Sequence, residues 1–240
     1  MTNGALTWDQ TGDRLFEAGV DHAALYVMKD TITNDGATGA DIYQDGVAWN
    51  GITSINEGRE GGEPQEQWAD NIKYISILSF EEFNPTIEAF TYPDEFAVCD
   101  GSAEVMSGAN GLGMFLGQQK RKAFALVYRT KIGNDVDELD HGFKIHIVYN
   151  CKAQPAERNY ETINDSPEGM TFSWECTTTP IDPNKTGVIS GMRPTAYVEL
   201  DSTKVNSGKM ETILGKLYGT ANSAPQVLLP HEIVTILTAD

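Results

Sequence analysis

Alternation of apolar and polar side chains, the period of a half-buried strand, recurs along most of this chain. In MTFSWECT (170–177) Phe172, Trp174 and Cys176 fall on one face, with Thr171, Ser173, Glu175 and Thr177 on the other. A turn-forming NDSPEG precedes it, and a threonine run stopped by Pro180 follows. KAFALVYRT (122–130) and GFKIHIVYN (142–150) read as a strand pair joined by a long Asp- and Asn-rich loop, KIGNDVDELDH (131–141). In the second strand Phe143, Ile145, Ile147 and Tyr149 face one way, and Lys144 and His146 the other. HAALYVMK (22–29), GVAWNGITSINE (46–57), NPTIEAFTYP (84–93) and MRPTAYVELDS (192–202) add further strands, with PDEF as a turn of helix. NIKYISILSFE (71–81) carries apolar residues on both faces, which places it between two layers.

The remaining segments punctuate these strands. DTITNDGATGADIYQDG (30–46) is rich in turn residues and reads as a loop or extended arm. EGREGGEPQEQWADN (57–71) is a polar excursion too long for a tight hairpin. CDGSAEVMSGANGLGMFLGQQKR (99–121) has too many glycines for a helix and reads as a short strand and a loop. One segment has helical period: in SGKMETILGKLYG (207–219) Met210, Ile213, Leu214, Leu217 and Tyr218 form a stripe, with Ser207 as N-cap and Gly219 as the stop. The tail APQVLLPHEIVTILTAD reads as a docking arm. Some eight strands and one flanking helix predict a mainly β protein, a sandwich or barrel of two antiparallel sheets. No phosphate-binding glycine loop follows a strand, which argues against a nucleotide-binding α/β fold.

Charge sharpens the picture. The 240 residues carry a formal charge of −18, and in the first 70 the basic side chains are Arg14, Lys29 and Arg59 alone. Gripping DNA along its phosphates requires a basic surface, so sequence-specific DNA binding is not expected. Such a charge serves solubility, or makes a wall that lets DNA pass without adhering. No run approaches 18 apolar residues, so no membrane insertion is expected. The first residues lack the basic start and apolar stretch of an export signal, so folding in the cytoplasm is expected. Cys99, Cys151 and Cys176 have no CxxC spacing and read as reduced thiols, Cys176 as a small buried hydrophobe.

The chemistry-bearing candidates are unspecific. No GxSxG nucleophile motif occurs. A Cys–His pair drawn from three cysteines and His22, His141, His146 and His231 is open to any arrangement in space. DVDELDH (135–141) lacks the calcium-loop pattern and reads as a solvated acidic loop. QQKRK (118–122) is one basic cluster, suited to an interface. No catalytic, cofactor-binding or metal-ligating residue is assigned.

Taken together, GVAWNGITSINE (46–57), ADNIKYISILSFEEFNPTIEAFTYPDEFAVCDG (69–101), GQQKRKAFALVYRTKIGND (117–135), GFKIHIVYN, YETINDSPEGMTFSWECTTTP (160–180) and RPTAYVELDS (193–202) resemble the major tail tube protein of long, flexible-tailed bacteriophages. The resemblance runs from about residue 8 to residue 220. It rests on the combination of TIEAFTYPDEF, GQQ…YRT…GND and TINDSPE…SWE…TTP. Asn150, in VYNCKA, departs from the small residue expected there.

The resemblance implies a single tail-tube domain over 1–240: a strand and arm over 1–45, a sandwich core over 46–220 and a C-terminal arm over 221–240. It implies rings, usually of six copies, stacked into a hollow tube of the virion tail and assembled in the host cytoplasm. It also implies the partners: further copies of the chain, a tape-measure protein, tail terminator and distal tail or baseplate proteins, and double-stranded DNA passing without specific binding. Neither catalysis nor a cofactor is implied. Glu57, Arg59, Glu60, Glu63, Glu66 and Trp68 of the 57–71 excursion are the candidate contact between rings, and segments 30–46 and 225–240 the candidate arms. An acidic to neutral polar channel lining follows from the charge. Three rivals stand. A monomeric sandwich could bind carbohydrate on exposed Trp8, Trp49, Trp68 or Trp174. A hydrolase could use scattered carboxylates or a Cys–His pair. The chain could also be a tail terminator or a tube protein of a contractile or secretion machine.

Overall fold

A computed structural model describes residues 5–79, 81–105, 113–156, 158–160, 162, 169–183 and 187–239. Its strands are β1 (Phe16–Val27), β2 (Val47–Ala48), β3 (Ile52–Gly61), β4 (Pro64–Ala69), β5 (Ile72–Leu78), β6 (Glu81–Ala89), β7 (Ala103–Glu104), β8 (Phe115–Leu116), β9 (Phe124–Asn134), β10 (Glu138–Ala153), β11 (Phe172–Thr178) and β12 (Tyr197–Asp201). The helices are α1 (Gly39–Ile42), α2 (Ser207–Leu217) and α3 (Pro230–Thr238). The expected NDSPEG turn, apart from its final glycine, and the glycine-rich 106–112 stretch lie outside the described residues.

The protein is mainly β, and its named strands pair antiparallel. One hydrogen-bonded path runs β2-β1-β9-β10-β11-β6-β3, with β12 also pairing β10. The long strand β10 makes the corner: its residues Lys144–Val148 pair with β12, while Cys151–Ala153 pair with β11. The path thereby folds into two facing layers. Between them lies a core built from Leu25, Phe124, Leu126 and Val148 of one layer and Ile87, Trp174 and Cys176 of the other, with Trp49 and Phe96. Trp174 sits at its centre, its ring 5.0 Å from Phe96 and 5.7 Å from Trp49. Its indole N–H donates to Asp100 Oδ1 at 3.1 Å.

A second core covers the outer face of β1, β9, β10 and β12. Tyr26, Val127, Ile145, Ile147 and Tyr149 pack there against Met210, Ile213 and Leu217 of α2, Leu229 just before α3 and Ile233 within it. Burial on both faces explains the near-continuous apolar runs ALYV, FALVY and IHIVY. The capping side chain of α2 is Asn206, which accepts from the N–H groups of Gly208 and Lys209; the expected Ser207 is the first helical residue.

Several expectations change. The strands flanking 131–141 run on to Asn134 and resume at Glu138, so the long loop is a tight hairpin. Its turn is closed by Asn134 Oδ1, which accepts from the N–H groups of Val136 and Asp137. The C-terminal segment, expected as an arm, folds back onto its own chain: Val227, Leu228 and Leu229 are buried and α3 follows. Among the described residues two helices of eight or more residues, α2 and α3, therefore flank the sheet, where the sequence pattern predicts one. The 30–46 segment folds with the tail. Glu232 Oε2 accepts from Leu229 N–H (2.9 Å) and from Gly39 N–H (2.8 Å), and His231 Nε2 lies 2.9 Å from the Ala37 carbonyl. A Cβ on Gly39 would lie 1.9 Å from the Val227 carbonyl oxygen, so this contact requires glycine. None of the described helices is long and apolar enough to cross a membrane.

Candidate assembly surface

The largest departure from the sequence reading lies at 57–79. The supposed loop is the outer half of β3 followed by β4, and the strand expected between two layers is β5. Strands β4 and β5 pair with each other and form a separate two-stranded ribbon. Every residue of both strands is exposed. On β5, Ile72, Tyr74 and Leu78 alternate with Ile75 and Ile77, and Trp68 on β4 is 66% exposed. Pro64 lies opposite Leu78, Gln65 opposite Ile77 and Gln67 opposite Ile75. Apolar groups therefore occupy both faces of a ribbon that the described residues cover on neither.

The six candidate contact residues divide. Glu60, Glu63, Glu66 and Trp68 are exposed at the end of β3, the turn and β4. Glu60 stands opposite Glu82, and Glu66 pairs with Lys73. Glu57 is different. It turns inward to an open cleft of ≈ 520 Å³ at the seam between the two layers. Its Oε1 accepts from the Tyr128 hydroxyl at 2.6 Å, and His146 Nδ1 stands 3.1 Å away, off the line of a hydrogen bond. Arg59 Nη2 lies 3.6 Å from Oε2, with its guanidinium over the Tyr197 ring. His146 beside it, together with the Tyr128 hydroxyl, outweighs burial and holds the Glu57 carboxyl down at about 2. The Tyr128 ring stacks on His146, centroids 4.7 Å apart, and Thr130 Oγ1 lies 2.9 Å from His146 Nε2. Lys144 closes the same cleft by bridging Glu17 and Glu199, and Glu17 first of all raises its pKa.

The ribbon residues Ile72, Tyr74, Ile75, Ile77 and Leu78 were not among the candidates. Their signal was present: apolar residues on both faces of a strand demand two covers. Periodicity alone does not say that neither cover comes from the described residues.

The other candidate chemistries separate as well. Burial pushes the Cys99 and Cys176 thiols up to about 12 and raises the Cys151 thiol as well, the opposite of an activated nucleophile. In the acidic loop, His141 Nδ1 lies 3.1 Å from Asp137, and the described residues contain no grouping of three or more ligand-type side chains able to hold a metal. Of the four tryptophans offered as a carbohydrate platform, Trp49 and Trp174 are buried in the inner core.

No protein-family model matches the chain, and no curated protein matches it. Among solved structures, the sheath–tube complex of an extracellular contractile injection system, PVC, in its extended state is similar at 8% identity and a TM-score of 0.35. That match covers 75% of this chain and 88% of the other. The six-fold symmetrised baseplate of the anti-feeding prophage, AFP, is similar at 8% identity and a TM-score of 0.29, over 83% and 97%.

Proposed function

We propose that this chain is a structural protein that polymerises into the tube of a phage tail. Copies close into rings of six, and the rings stack around a channel. The channel holds a tape-measure protein during assembly and later conducts the genome, and terminator and distal tail proteins close the two ends. The single observation that carries self-assembly is the β4–β5 ribbon. An isolated two-stranded ribbon is marginal in water, and one apolar on both faces needs partners. A second copy supplies them in a repeating contact, and a heterologous contact that repeats closes a ring or grows a filament. The tail identity draws on the motif resemblance between residues 8 and 220. Glu60, Glu63, Glu66 and Trp68 then serve the contact between rings, and acidic to neutral side chains line the channel.

Electron microscopy of the purified protein at rising concentration tests this, beside a variant carrying Ile75→Lys and Ile77→Lys. The parent forms rings or tubes, whereas the variant stays monomeric with an unchanged melting temperature. A parent that remains monomeric at every concentration, with or without a tail-initiating complex, overturns the proposal.

A further inference from the structure

We propose that Glu57 is the positioning residue that sets how the β4–β5 ribbon is presented, by latching its root across the seam between the two layers. The inference rests on the ribbon being an assembly element, but the latch itself is a property of the single chain.

The need for a latch follows from where Glu57 stands. Strand β3 ends the hydrogen-bonded path and pairs within it only with β6. Opposite Glu57 is Pro85, at a position of β6 that faces away from β3, since the Phe90 N–H bonds the Gly51 carbonyl and the Asn84 carbonyl lies against Gly58; this pair therefore exchanges no ladder bond. At the next residue a Cβ on Gly58 would lie 2.5 Å from the Asn84 carbonyl oxygen, so the chain forgoes a side chain there to keep the strands close. Beyond this point Arg59, Glu60 and Gly61 face Phe83, Glu82 and Glu81 at the open end of the sheet, and the ribbon begins three residues later. The ribbon thus leaves the body from the end of an edge strand.

Side chains supply the missing connection. From β3, Glu57 reaches Tyr128 on β9 and His146 on β10, and Arg59 reaches Tyr197 on β12, which is stacked on Phe83 of β6 at 4.7 Å. These contacts join the free edge strand to three strands of the facing layer. The charged and titratable groups facing Glu57 are Tyr128, His146 and Arg59, with Lys144, Glu17 and Glu199 lining the same cleft from β10, β1 and β12. A hydrogen bond accepted by an ionised carboxylate is among the strong ones, and here it is partly shielded from water.

Hydrogen exchange on the dilute monomer reads the latch without requiring assembly. In Glu57→Ala, amides of residues 59–78 and 81–83 exchange about ten to a hundred times faster than in the parent, the loss of one hydrogen bond to a charged group. Amides of β9, β10 and β11 keep their protection. Tyr128→Phe moves the same amides less, and Glu57→Gln, which retains an acceptor for Tyr128, falls between. Uniform acceleration over the whole chain would make Glu57 an ordinary stability residue and overturn the latch. So would a ribbon unaffected by Glu57→Ala, or one already exchanging freely in the parent. Faster ribbon exchange in a chain that never forms rings leaves the latch standing and removes the assembly reading; rings with an unaltered ribbon do the reverse.

Discussion

At the scale of single residues, the two layers are held by a few large side chains whose replacements have separable effects. Trp174 is fully buried among Trp49, Phe96 and Tyr92, and its one polar atom is satisfied by Asp100. Trp174→Ala leaves a cavity and an unpaired carboxylate oxygen, and costs about 3–5 kcal/mol in chemical denaturation. Trp174→Phe costs less because most of the ring contacts survive. Glu57 contributes through charge instead. Its folded-state pKa of about 2 lies below its ordinary value of 4.5, so its stabilisation is complete above pH 4.5 and disappears as pH falls towards 2. With partial solvent screening, about 1–2 kcal/mol of stability belongs to that window. Urea midpoints at pH 5 and pH 3 check it: the parent loses more stability than Glu57→Gln over this interval. Equal losses would show that the carboxylate contributes nothing to the pH response.

At the scale of elements, legibility in the sequence followed from where each strand finds its cover. MTFSWECT has one buried face, and Phe172, Trp174 and Cys176 do point inwards as their spacing says. GFKIHIVYN is equally plain, because Ile145, Ile147 and Tyr149 meet helices while Lys144 and His146 line the cleft. NIKYISIL has the same two-sided apolar pattern as the buried strands yet lies exposed, since periodicity reports a demand for cover and not its source. The tail misled for a different reason. Pro225 and Pro230 suggested an arm, but Pro230 occupies the first turn of α3, where its missing N–H is harmless. Glu57 could be found as a carboxylate in the right segment, but its inward turn depends on Tyr128 and His146, brought there by β9 and β10. The tail's correction has a measurable consequence. A chain ending at Pro225 uncovers Tyr149, whose hydroxyl donates to the Leu228 carbonyl at 2.6 Å, and removes Leu229 and Ile233 from the outer core. With Val227 and Leu228 lost too, four buried aliphatic side chains go, so the variant should lose several kcal/mol and bind a hydrophobic dye as a monomer. An arm serving only neighbouring copies would leave the monomer's melting temperature where it was.

At the scale of the whole molecule, two opposing tendencies meet. Under the proposed assembly the ribbon would draw copies together through apolar area, which ions hardly affect, while a charge of −18 on every copy would drive them apart. Screening acts on the second alone: the Debye length falls from about 30 Å at 0.01 M salt to about 8 Å at 0.15 M. Charges on neighbouring copies, spaced by the width of a protein layer, then cease to interact while ribbon contacts persist. Association should therefore strengthen with added salt, and the concentration needed for assembly should fall between about 0.01 and 0.5 M sodium chloride. Sedimentation velocity across that range, with Ile75→Lys, Ile77→Lys as the monomeric reference, measures it directly. A weakening with salt would mean that copies are joined by ion pairs between acidic and basic patches such as QQKRK, and the ribbon would lose its place as the dominant contact. A salt-strengthened association that the double lysine variant still shows would instead move the contact to another apolar surface, with the exposed Leu6, Trp8 and Leu15 the next side chains to replace.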